Sequence, residues 1–284
     1  MTAARQLVAR VRDLVSLPET YLNISALMND PCSTVEDFTR IVQRDPGLTA
    51  QLLRIANSAF FGVSRQVETI SLAVSLMGVS RLHDLALATS LIDTFAQLAT
   101  PAPHMEDFWH HSLHAGIIAR MLADAGGVHG SERLFTAGLL HDIGRLAIWV
   151  AAPQHRAAVF DRASSGTSTL EDSEREILGC SHTEVAGELM RAWQFPAALT
   201  AMCVSHAAPW QSAEYTRECA LVHLACTMAS ALRLDPATRS PLADCEPRII
   251  ELAGLGGTQL EPIAAQSLLH LTEVAEVLLR RRTA

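Results

Sequence analysis

One long segment of this sequence, from Leu82 to Phe95, is apolar on nearly every face of a helix, and it limits the folds open to the chain. A helix that is apolar all round is normally surrounded by other elements, so we expect this segment to be central. A second segment, from Glu218 to Leu232, is long and very apolar. Shorter segments repeat apolar residues at helical spacing, and no strand pattern competes in the first hundred residues. The sequence therefore predicts an all-α fold.

Composition agrees with closely packed helices. Apolar residues make up 49% of the chain but aromatic residues only 5%, so the core is mostly Ala, Leu, Ile and Val. A chain of 284 residues is long enough for one large domain or two modest ones. The clearest linker is Thr100-Pro101-Ala102-Pro103. We therefore predict an N-terminal helical bundle at residues 1–103 and a second helical subdomain at residues 104–284.

Charge and cysteine usage exclude several classes of protein. The net charge is −8, and no basic stripe is present to neutralise phosphates, which argues against direct nucleic-acid binding. The six cysteines show no CxxC spacing and are typical of scattered, reduced thiols. No apolar run approaches the ~18–20 residues of a membrane span, and the N-terminal residues show no signal-peptide h-region. We expect a cytoplasmic protein without membrane contact.

Two helix starts can be read from capping patterns. Asp45 followed by Pro46 predicts an N-cap and a first helical residue. Ser33 stands three residues before Glu36, which is the spacing of a capping box. Each pattern precedes an apolar face at helical spacing, so we expect helices to begin at both places.

An adjacent His-Asp pair, His141-Asp142, follows an apolar run that begins at Leu134. Imidazole nitrogen and carboxylate oxygen both bind zinc, iron and manganese. Adjacent side chains on a helix diverge by about 100°, so the pair can flank one ion only if other ligands close the site. Alone, the pair is explained equally well as a helix-end His and Asp making local hydrogen bonds.

Other histidines are candidates to complete such a site. They are His110, His111 and His114 upstream, and His182, His206 and His223 downstream. His110 and His114 stand at i and i+4, a spacing more often found on a solvated helix face. His111 points toward the side that carries Ile118 and Leu122, so we expect it to face inward. A single histidine of this kind is usually a hydrogen-bonded core or cap residue, but here several follow on successive apolar helices.

Several segments resemble the HDOD (HD-related output domain) family, within the wider HD and HD-GYP superfamily of metal-dependent phosphohydrolases. The most specific is the block from Asp45-Pro46 to Asn57-Ser58-Ala59-Phe60-Phe61-Gly62. Further matching segments are Leu140-His141-Asp142-Ile143-Gly144-Arg145, Ile70 to Gly78, Trp109 to Ser112, His182 to Gly187 and Trp193 to Pro196. The resemblance covers roughly residues 10–232.

The resemblance implies an N-terminal helical bundle packed on an HD-like helical subdomain. It also implies a metal site, because five residues match the ligand pattern of the catalytic HD proteins: His111, His141, Asp142, His182 and His206. Together they can hold one divalent ion, either iron, zinc or manganese. For the Asp-Pro to Phe-Phe-Gly block we weigh two interpretations, helix capping and packing or a partner-docking surface.

Three departures from the catalytic pattern bear on activity. His206 is followed by Ala207 where the enzymes carry a second His, Cys226 stands where they carry a late Asp, and the Gly-Tyr-Pro loop is absent. Cys226 either coordinates as a thiolate or is a buried inert thiol, and the second arrangement is far commoner. A second ion would have too few ligands, and we expect weak or no turnover.

Three functions remain open on the sequence. The favoured one is a non-catalytic bacterial signal-transduction output domain, which relays a signal to a regulatory protein partner or from an upstream sensory or receiver domain. The alternative is a metal-dependent phosphohydrolase acting on a cyclic dinucleotide or nucleotide. The third is nucleotide sensing without hydrolysis, which requires a pocket. A fold analogy alone does not establish any of these chemistries.

Overall fold

The computed structural model describes residues 2–279 without 16, 29, 31, 62–64, 97–104, 167, 235–239 and 243, and in this part all regular secondary structure is helical. No strand occurs in that part, and the all-α prediction is confirmed. The α-helices are α1 (Ala3–Leu14), α2 (Glu19–Met28), α3 (Val35–Gln43), α4 (Pro46–Ala56), α5 (Ile70–Met77), α6 (Val79–Ala96), α7 (Met105–Ala125), α8 (Ser131–Leu140), α9 (Ile143–Ala151), α10 (Arg156–Ser164), α11 (Leu170–Leu178), α12 (His182–Ala192), α13 (Ala197–Ser205), α14 (Thr216–Leu234), α15 (Pro247–Ala253) and α16 (Gly257–Leu278). Short 3-10 helices lie at Ala59–Phe61, Pro153–His155 and Pro209–Gln211.

Helix starts follow the capping rules, with one shift of register. Asp45 caps α4 as predicted. The capping box of α3 is formed by Thr34 and Asp37, so the prediction that Ser33 caps this helix is wrong. The Ser33 hydroxyl instead donates to the carbonyl of Leu27 at 2.7 Å. The sequence offers the capping spacing in two adjacent registers, and the register that is used leaves Ser33 to anchor the end of α2.

Helix α6 is the central helix of the first half. It packs against α2, α4 and α5, and against α8 from the second half. Residues 85–92 are all buried, as expected for a segment that is apolar nearly all round.

Helices α7, α8 and α14 form the centre of the second half. Helix α7 crosses α8 at very short range, because Gly116 and Gly138 face each other there. A Cβ on Gly138 would lie 2.7 Å from the carbonyl oxygen of Ala115. This close crossing fixes the end of α8, from which His141 and Asp142 continue.

Helix α9 approaches α12 as closely, at Gly144. A Cβ on Gly144 would overlap the carbonyl of His182 and would lie 2.7 Å from the amide nitrogen of Ala186. Only a residue without a Cβ allows this contact. The start of α12 is therefore held beside the start of α9, two residues after Asp142.

The first and last helices connect the two halves. Helix α1 packs on α9 and α12, while α16 packs on α7, α4 and the 3-10 helix at Ala59–Phe61. The linker predicted at residues 100–103 lies outside the described residues. The division into 1–103 and 104–284 stays a prediction.

One stretch, Ser131–Ala151, is long and apolar enough to cross a membrane by length and composition alone. This stretch was not predicted, because polar residues interrupt the apolar run without lowering its mean hydropathy far enough. Within its most apolar window of 18 residues 83% of the residues are buried, as in the core helices of folded domains. Helices α5 and α6 meet the same criterion only as a pair, across a bend of 117°.

Candidate metal centre

The five predicted ligands lie on or beside five helices that meet in the second half. His111 is on α7, His141 and Asp142 join α8 to α9, His182 opens α12 and His206 follows α13. The ring centroid of His141 lies 5.4 Å from that of His111 and 5.0 Å from that of His206, and His182 lies 6.0 Å from His206. The fold therefore gathers all five side chains into one cluster.

The ligand atoms form two groups that share His141. One group is His111, His141 and Cys226, and the other is His141, Asp142 and His206. Within each group the ligand atoms lie within 4.8 Å of one another. His182 belongs to neither group, but its Nε2 lies 3.6 Å from Oδ1 of Asp142. His141 and Asp142 are thus the middle of the cluster.

Backbone carbonyls orient two of the imidazoles. Nδ1 of His141 lies 2.6 Å from the carbonyl oxygen of Gly138, and Nδ1 of His206 lies 2.9 Å from that of Cys203. A carbonyl oxygen only accepts, so each Nδ1 carries a proton and donates it. In the neutral ring this leaves the Nε2 lone pair pointing into the cluster.

A carboxylate orients the third imidazole. Nδ1 and the backbone N–H of His182 both donate to Oε2 of Glu174, at 2.6 Å and 2.7 Å. Such a carboxylate–histidine pair fixes the tautomer and raises the basicity of a metal ligand. Glu174 was not among the predicted site residues, although the sequence contains a signal for it. Glu174 lies four residues from both Leu170 and Leu178, on the inward face of an otherwise charged helix.

Several polar atoms of the cluster are buried without a partner. Within the described residues, Nε2 of His141, Nε2 of His182 and Oδ1 of Asp142 form no hydrogen bond. Buried polar atoms are nearly always paired, because leaving them unpaired is costly. Ring nitrogens that carry a lone pair and a carboxylate oxygen are atoms that a bound cation would satisfy. The residues present therefore fit a divalent ion of the kind that imidazole and carboxylate bind.

Asp142 is ionised at the centre of the cluster. Burial opposes its charge, but Arg145 and then His141 outweigh burial and hold the pKa of Asp142 well below its usual value. The Arg145 guanidinium reaches Oδ2 of Asp142 with Nη1 at 2.8 Å. The cluster therefore contains a carboxylate that is charged at neutral pH.

Burial and neighbouring charges also shift the pKa values of His141, His206 and Cys226. Burial lowers the pKa of His141, but Asp142 and Cys226 outweigh it and hold that pKa well above the usual value. Burial, and then His141, hold the pKa of His206 well below its usual value. Burial raises the pKa of Cys226, but His141 and His111 outweigh it and lower that pKa well below the usual value. Positive charge beside Asp142 and Cys226 is thus favoured, and a metal ion would supply it.

Four of the ligands are closed off from solvent. Their exposed fractions are 0%, 2%, 3% and 6% for His141, Asp142, His182 and His206. His111 is half-buried. An ion can therefore enter from the side of His111.

A small cavity borders the cluster at Arg145 and Glu174. Its volume is about 10 Å³, with Trp149, Arg156 and Phe160 also in its wall. That is room for about one water molecule.

Two of the other candidate histidines, His114 and His223, form hydrogen bonds away from the cluster. His114, expected on a solvated face, is only 3% exposed, and its Nε2 lies 2.9 Å from the Ser267 hydroxyl on α16. Burial, and then His111, lower the pKa of His114 to about 4. The solvated-face prediction is wrong because α16 covers this side of α7, which the sequence order does not reveal. His223 bonds the carbonyl of His206 with Nδ1 at 2.8 Å.

Hydrogen bonds and ring contacts fix the position of the block from Asp45 to Phe61. The Asn57 amide donates to the carbonyls of Leu53 and Val67, each at 2.8 Å, and its Oδ1 accepts from the Val67 N–H at 2.7 Å. The Arg120 guanidinium on α7 donates to the Phe60 carbonyl at 3.1 Å. Its central carbon lies 4.5 Å and 4.7 Å from the ring centroids of Phe60 and Phe61. These contacts support the capping and packing interpretation of the block.

An open groove of about 730 Å³ lies beside this block, between α4 and α16. It is lined by Leu53, Arg54, Asn57, Ser58, Arg65, Gln66, Glu273 and Val277. Arg54 and Arg65 are exposed. Within the described part of the chain, neither arginine forms an ion pair, so the groove carries cationic groups that are not neutralised by a bound carboxylate.

Known proteins similar to this chain are bacterial. An uncharacterised protein of Treponema pallidum is 23% identical over 194 residues, which is 68% of this chain but only 37% of that protein. A Shewanella amazonensis protein, described provisionally as a phosphohydrolase, has a solved structure with 27% identity and a TM-score of 0.77, covering 98% of both chains.

Two further solved structures share the fold. One is an HDOD domain protein of unknown function from Geobacter sulfurreducens, with 23% identity and a TM-score of 0.75 over 97% of this chain and 98% of that one. The other, from Marinobacter aquaeolei, is described provisionally as a signal transduction protein, with 21% identity and a TM-score of 0.73 over 94% of this chain and 60% of that one. The HDOD domain family itself matches residues 14–209. The predicted resemblance is therefore confirmed, and the chain belongs to the HDOD domain family.

Proposed function

We propose that the chain is a signal-transduction domain that holds one divalent ion and acts on a protein partner without turning over a substrate. The observation that carries this proposal is the burial of the centre. Four of the five ligands are less than a tenth exposed, and the cavity bordering Arg145 and Glu174 has room for about one water molecule. Small-molecule pockets measure ~300–1,000 Å³. The cavity of about 10 Å³ is far smaller than that, and none of the five predicted ligands lines it.

The charged groups around the pair support the same proposal. Metal-assisted hydrolysis of a phosphodiester needs an activated water, and commonly a second ion that clamps the phosphate. Arg145, the cationic residue nearest the pair, is already bound to Asp142 at 2.8 Å. Cys226 stands where the HD-GYP enzymes carry a late Asp, and Ala207 where they carry a second His. These groups are poorly suited to receive and cleave a phosphodiester.

The ion, whether iron, zinc or manganese, would stabilise the junction of five helices. Its ligands come from α7, from the joint between α8 and α9, and from the ends of α12 and α13. Binding to the folded chain alone raises its stability by an amount that grows with ion concentration. The ion would therefore act on the shape and stability of the domain rather than on a substrate.

The groove between α4 and α16 is the surface that we assign to the partner. Its Arg54 and Arg65 are exposed on a chain whose net charge is −8. Charge complementarity favours an acidic segment of a regulatory protein, and it speeds association more than it tightens binding. On this assignment the Asn57-Ser58 end of the block packs the fold and also lines the docking surface.

Hydrolysis is the rival function, and two observations favour it. Five residues of the catalytic ligand pattern meet in one cluster, and the Shewanella amazonensis relative is described provisionally as a phosphohydrolase. If the chain is a hydrolase, substrate would enter beside His111, which is half-buried.

The deciding experiment combines elemental analysis with an activity assay. The chain is purified without chelator or affinity metal, then tested for hydrolysis of bis(p-nitrophenyl) phosphate and of a cyclic dinucleotide. We expect about one equivalent of metal and no turnover above the Asp142→Asn variant. Turnover that is lost in Asp142→Asn would overturn the proposal in favour of a phosphohydrolase. Metal-free protein that binds no added ion would remove the metal from the proposal.

The partner surface has its own test. Arg54→Glu combined with Arg65→Glu should abolish salt-sensitive binding of the partner while leaving metal content and melting temperature unchanged. Arg10→Glu, an exposed arginine on α1, is the matched control and should bind as wild type does. Equal loss of binding in the control, or none in the double variant, would exclude the groove.

A further inference from the structure

The sulfur of Cys226 faces the metal centre. Cys226 lies on α14, which packs along α7, and its Sγ lies 3.6 Å from Nε2 of His111. It is half-buried, on the same side of the centre as His111. The sequence left two interpretations open for this residue, a thiolate ligand and an inert core thiol.

The separation between the sulfur and the nitrogen fits a shared ion. In a tetrahedral zinc site the Zn–S bond is about 2.3 Å and the Zn–N bond about 2.0–2.1 Å. Two such bonds at a tetrahedral angle place sulfur and nitrogen ~3.5–3.6 Å apart. The observed 3.6 Å between Sγ of Cys226 and Nε2 of His111 matches that value.

A simple S–H···N hydrogen bond also fits this one distance, but it leaves His141 unexplained. Nε2 of His141 is fully buried and has no hydrogen-bond partner among the described residues. It lies within 4.8 Å of both Sγ of Cys226 and the imidazole of His111. A hydrogen bond between Cys226 and His111 leaves this nitrogen unpaired, whereas an ion between the three atoms binds all of them. Asp142, 3.5 Å from Nε2 of His141, stands next to the fourth position.

Other cysteines of the chain have a different environment. The sulfurs of Cys203, Cys219 and Cys245 lie 3.8, 3.5 and 3.7 Å from backbone carbonyl oxygens, to which a thiol donates its proton. A carbonyl oxygen favours the protonated thiol, while the imidazoles beside Cys226 can share a metal with a thiolate. Cys219, on the same helix as Cys226, provides a matched control.

We infer that Cys226 is a thiolate ligand, which with His111 and His141 forms a mixed sulfur and nitrogen site for zinc or ferrous iron. The inference rests on the proposed function only in requiring that the centre hold an ion. Thiolate ligands favour zinc and iron, whereas manganese and magnesium prefer carboxylate, carbonyl and water oxygen. Of the three metals that the sequence allowed, manganese is thereby disfavoured.

Cobalt substitution tests the sulfur ligand directly. The chelated full chain is titrated with Co²⁺, and the absorption spectrum is followed for the sulfur-to-cobalt charge-transfer band in the near ultraviolet. We expect the band in wild type and in Cys219→Ser, and its loss in Cys226→Ser. Zinc affinity should fall at least about tenfold in Cys226→Ser. Cys226→Asp should retain an ion but shift its preference from zinc toward manganese.

Thiol protection in the unaltered chain gives a second test, which does not depend on the folding of a variant. Iodoacetamide should label Cys226 after chelation and fail to label it after zinc is restored, with labelling read by mass spectrometry. Exposed Cys32 is the internal control and should be labelled in both states. Cobalt binding without the sulfur band, or equal labelling of Cys226 with and without zinc, would overturn the thiolate ligand and leave the metal centre intact. A wild-type chain that binds neither cobalt nor zinc would overturn both.

Discussion

Replacing Gly144 by alanine should disturb the fold and the metal centre together. Gly144 lies two residues after Asp142, and its missing side chain lets α9 rest against the first turn of α12. An alanine Cβ would overlap the carbonyl of His182 and lie 2.7 Å from the amide nitrogen of Ala186. Both of these atoms belong to the backbone, so no side-chain rotation relieves the clash. The two helices must move apart.

The size of the effect follows from the contacts. Ordinary van der Waals contact for a Cβ begins at 3.4 Å, so the distance to Ala186 is short by about 0.7 Å, and the overlap with His182 is larger. Overpacking of this kind costs about 1–3 kcal/mol, and the backbone clash places Gly144→Ala at the upper end. Alanine is a better helix former than glycine, which offsets about 0.5–1 kcal/mol of that cost. A net loss of about 2 kcal/mol should lower the melting temperature by about 4–8 °C.

The same movement should weaken metal binding. His182 opens α12 and Asp142 precedes α9, so the separation of these helices increases the distance between the two ligands. Ligands need to be held within about 0.5 Å of the productive geometry. We expect the affinity for zinc to fall about tenfold in Gly144→Ala.

Thermal melts of chelated protein and zinc titrations measure the two effects separately. Gly257→Ala is the matched control, because its Cβ would meet nothing within 4 Å at the start of α16. That variant should melt at or slightly above the wild-type temperature and bind zinc normally. A Gly144→Ala protein that melts within 1 °C of the control, with unchanged affinity, would refute the argument from helix contact.

Three further predictions concern single side chains. Burial lowers the pKa of His114 from 6.5 to about 4, so its contribution to folding stability is complete above pH 6.5 and is lost as the pH falls toward 4. Between pH 7.5 and pH 5, chelated wild type should therefore lose about 2 kcal/mol more unfolding free energy than His114→Gln, as measured by urea denaturation. Equal losses in the two proteins would contradict this prediction. Asn57→Ala removes three hydrogen bonds and should lower stability by about 2 kcal/mol without changing metal content, so an unchanged melt would favour a docking role for this residue. Glu174→Gln keeps the acceptor for His182 but removes its charge, and should weaken zinc binding about tenfold by isothermal titration, whereas wild-type affinity would show that the carboxylate only packs.

Much of the fold was accessible from the sequence, because local signals and global packing agree. The all-round apolar segment 82–95 became the buried centre of the first half, and Asp45 capped the helix that it precedes. The capping register of Thr34 was missed, since Ser33 satisfies the same spacing and local chemistry does not rank the two. The choice depends on what else the Ser33 hydroxyl can reach in three dimensions.

The candidate site was accessible only in part. Ligand-type residues on successive apolar helices indicated His141, Asp142, His182 and His206, and the fold gathers them with His111. Glu174 was not found, because a Glu on a charged helix resembles a solvated one until the partner of that helix is known. His114 was misplaced for the same reason, since α16 approaches it from 153 positions along the chain. Long-range contacts of this kind leave no local trace in a single sequence.

Helix α7 joins two places that the chain keeps apart in sequence. His111 enters the metal centre from this helix, and Arg120, nine residues further on and about 13 Å along its axis, binds the Phe60 carbonyl beside the groove. A displacement of α7 at His111 would therefore also displace Arg120. Thermodynamic reciprocity then fixes the relation: if a bound ion changes the affinity of the groove for its partner by some factor, the partner changes the affinity for the ion by the same factor. The amount of metal that the domain retains would thus depend on whether a partner occupies the groove. The amount of partner bound would likewise depend on whether the metal is present.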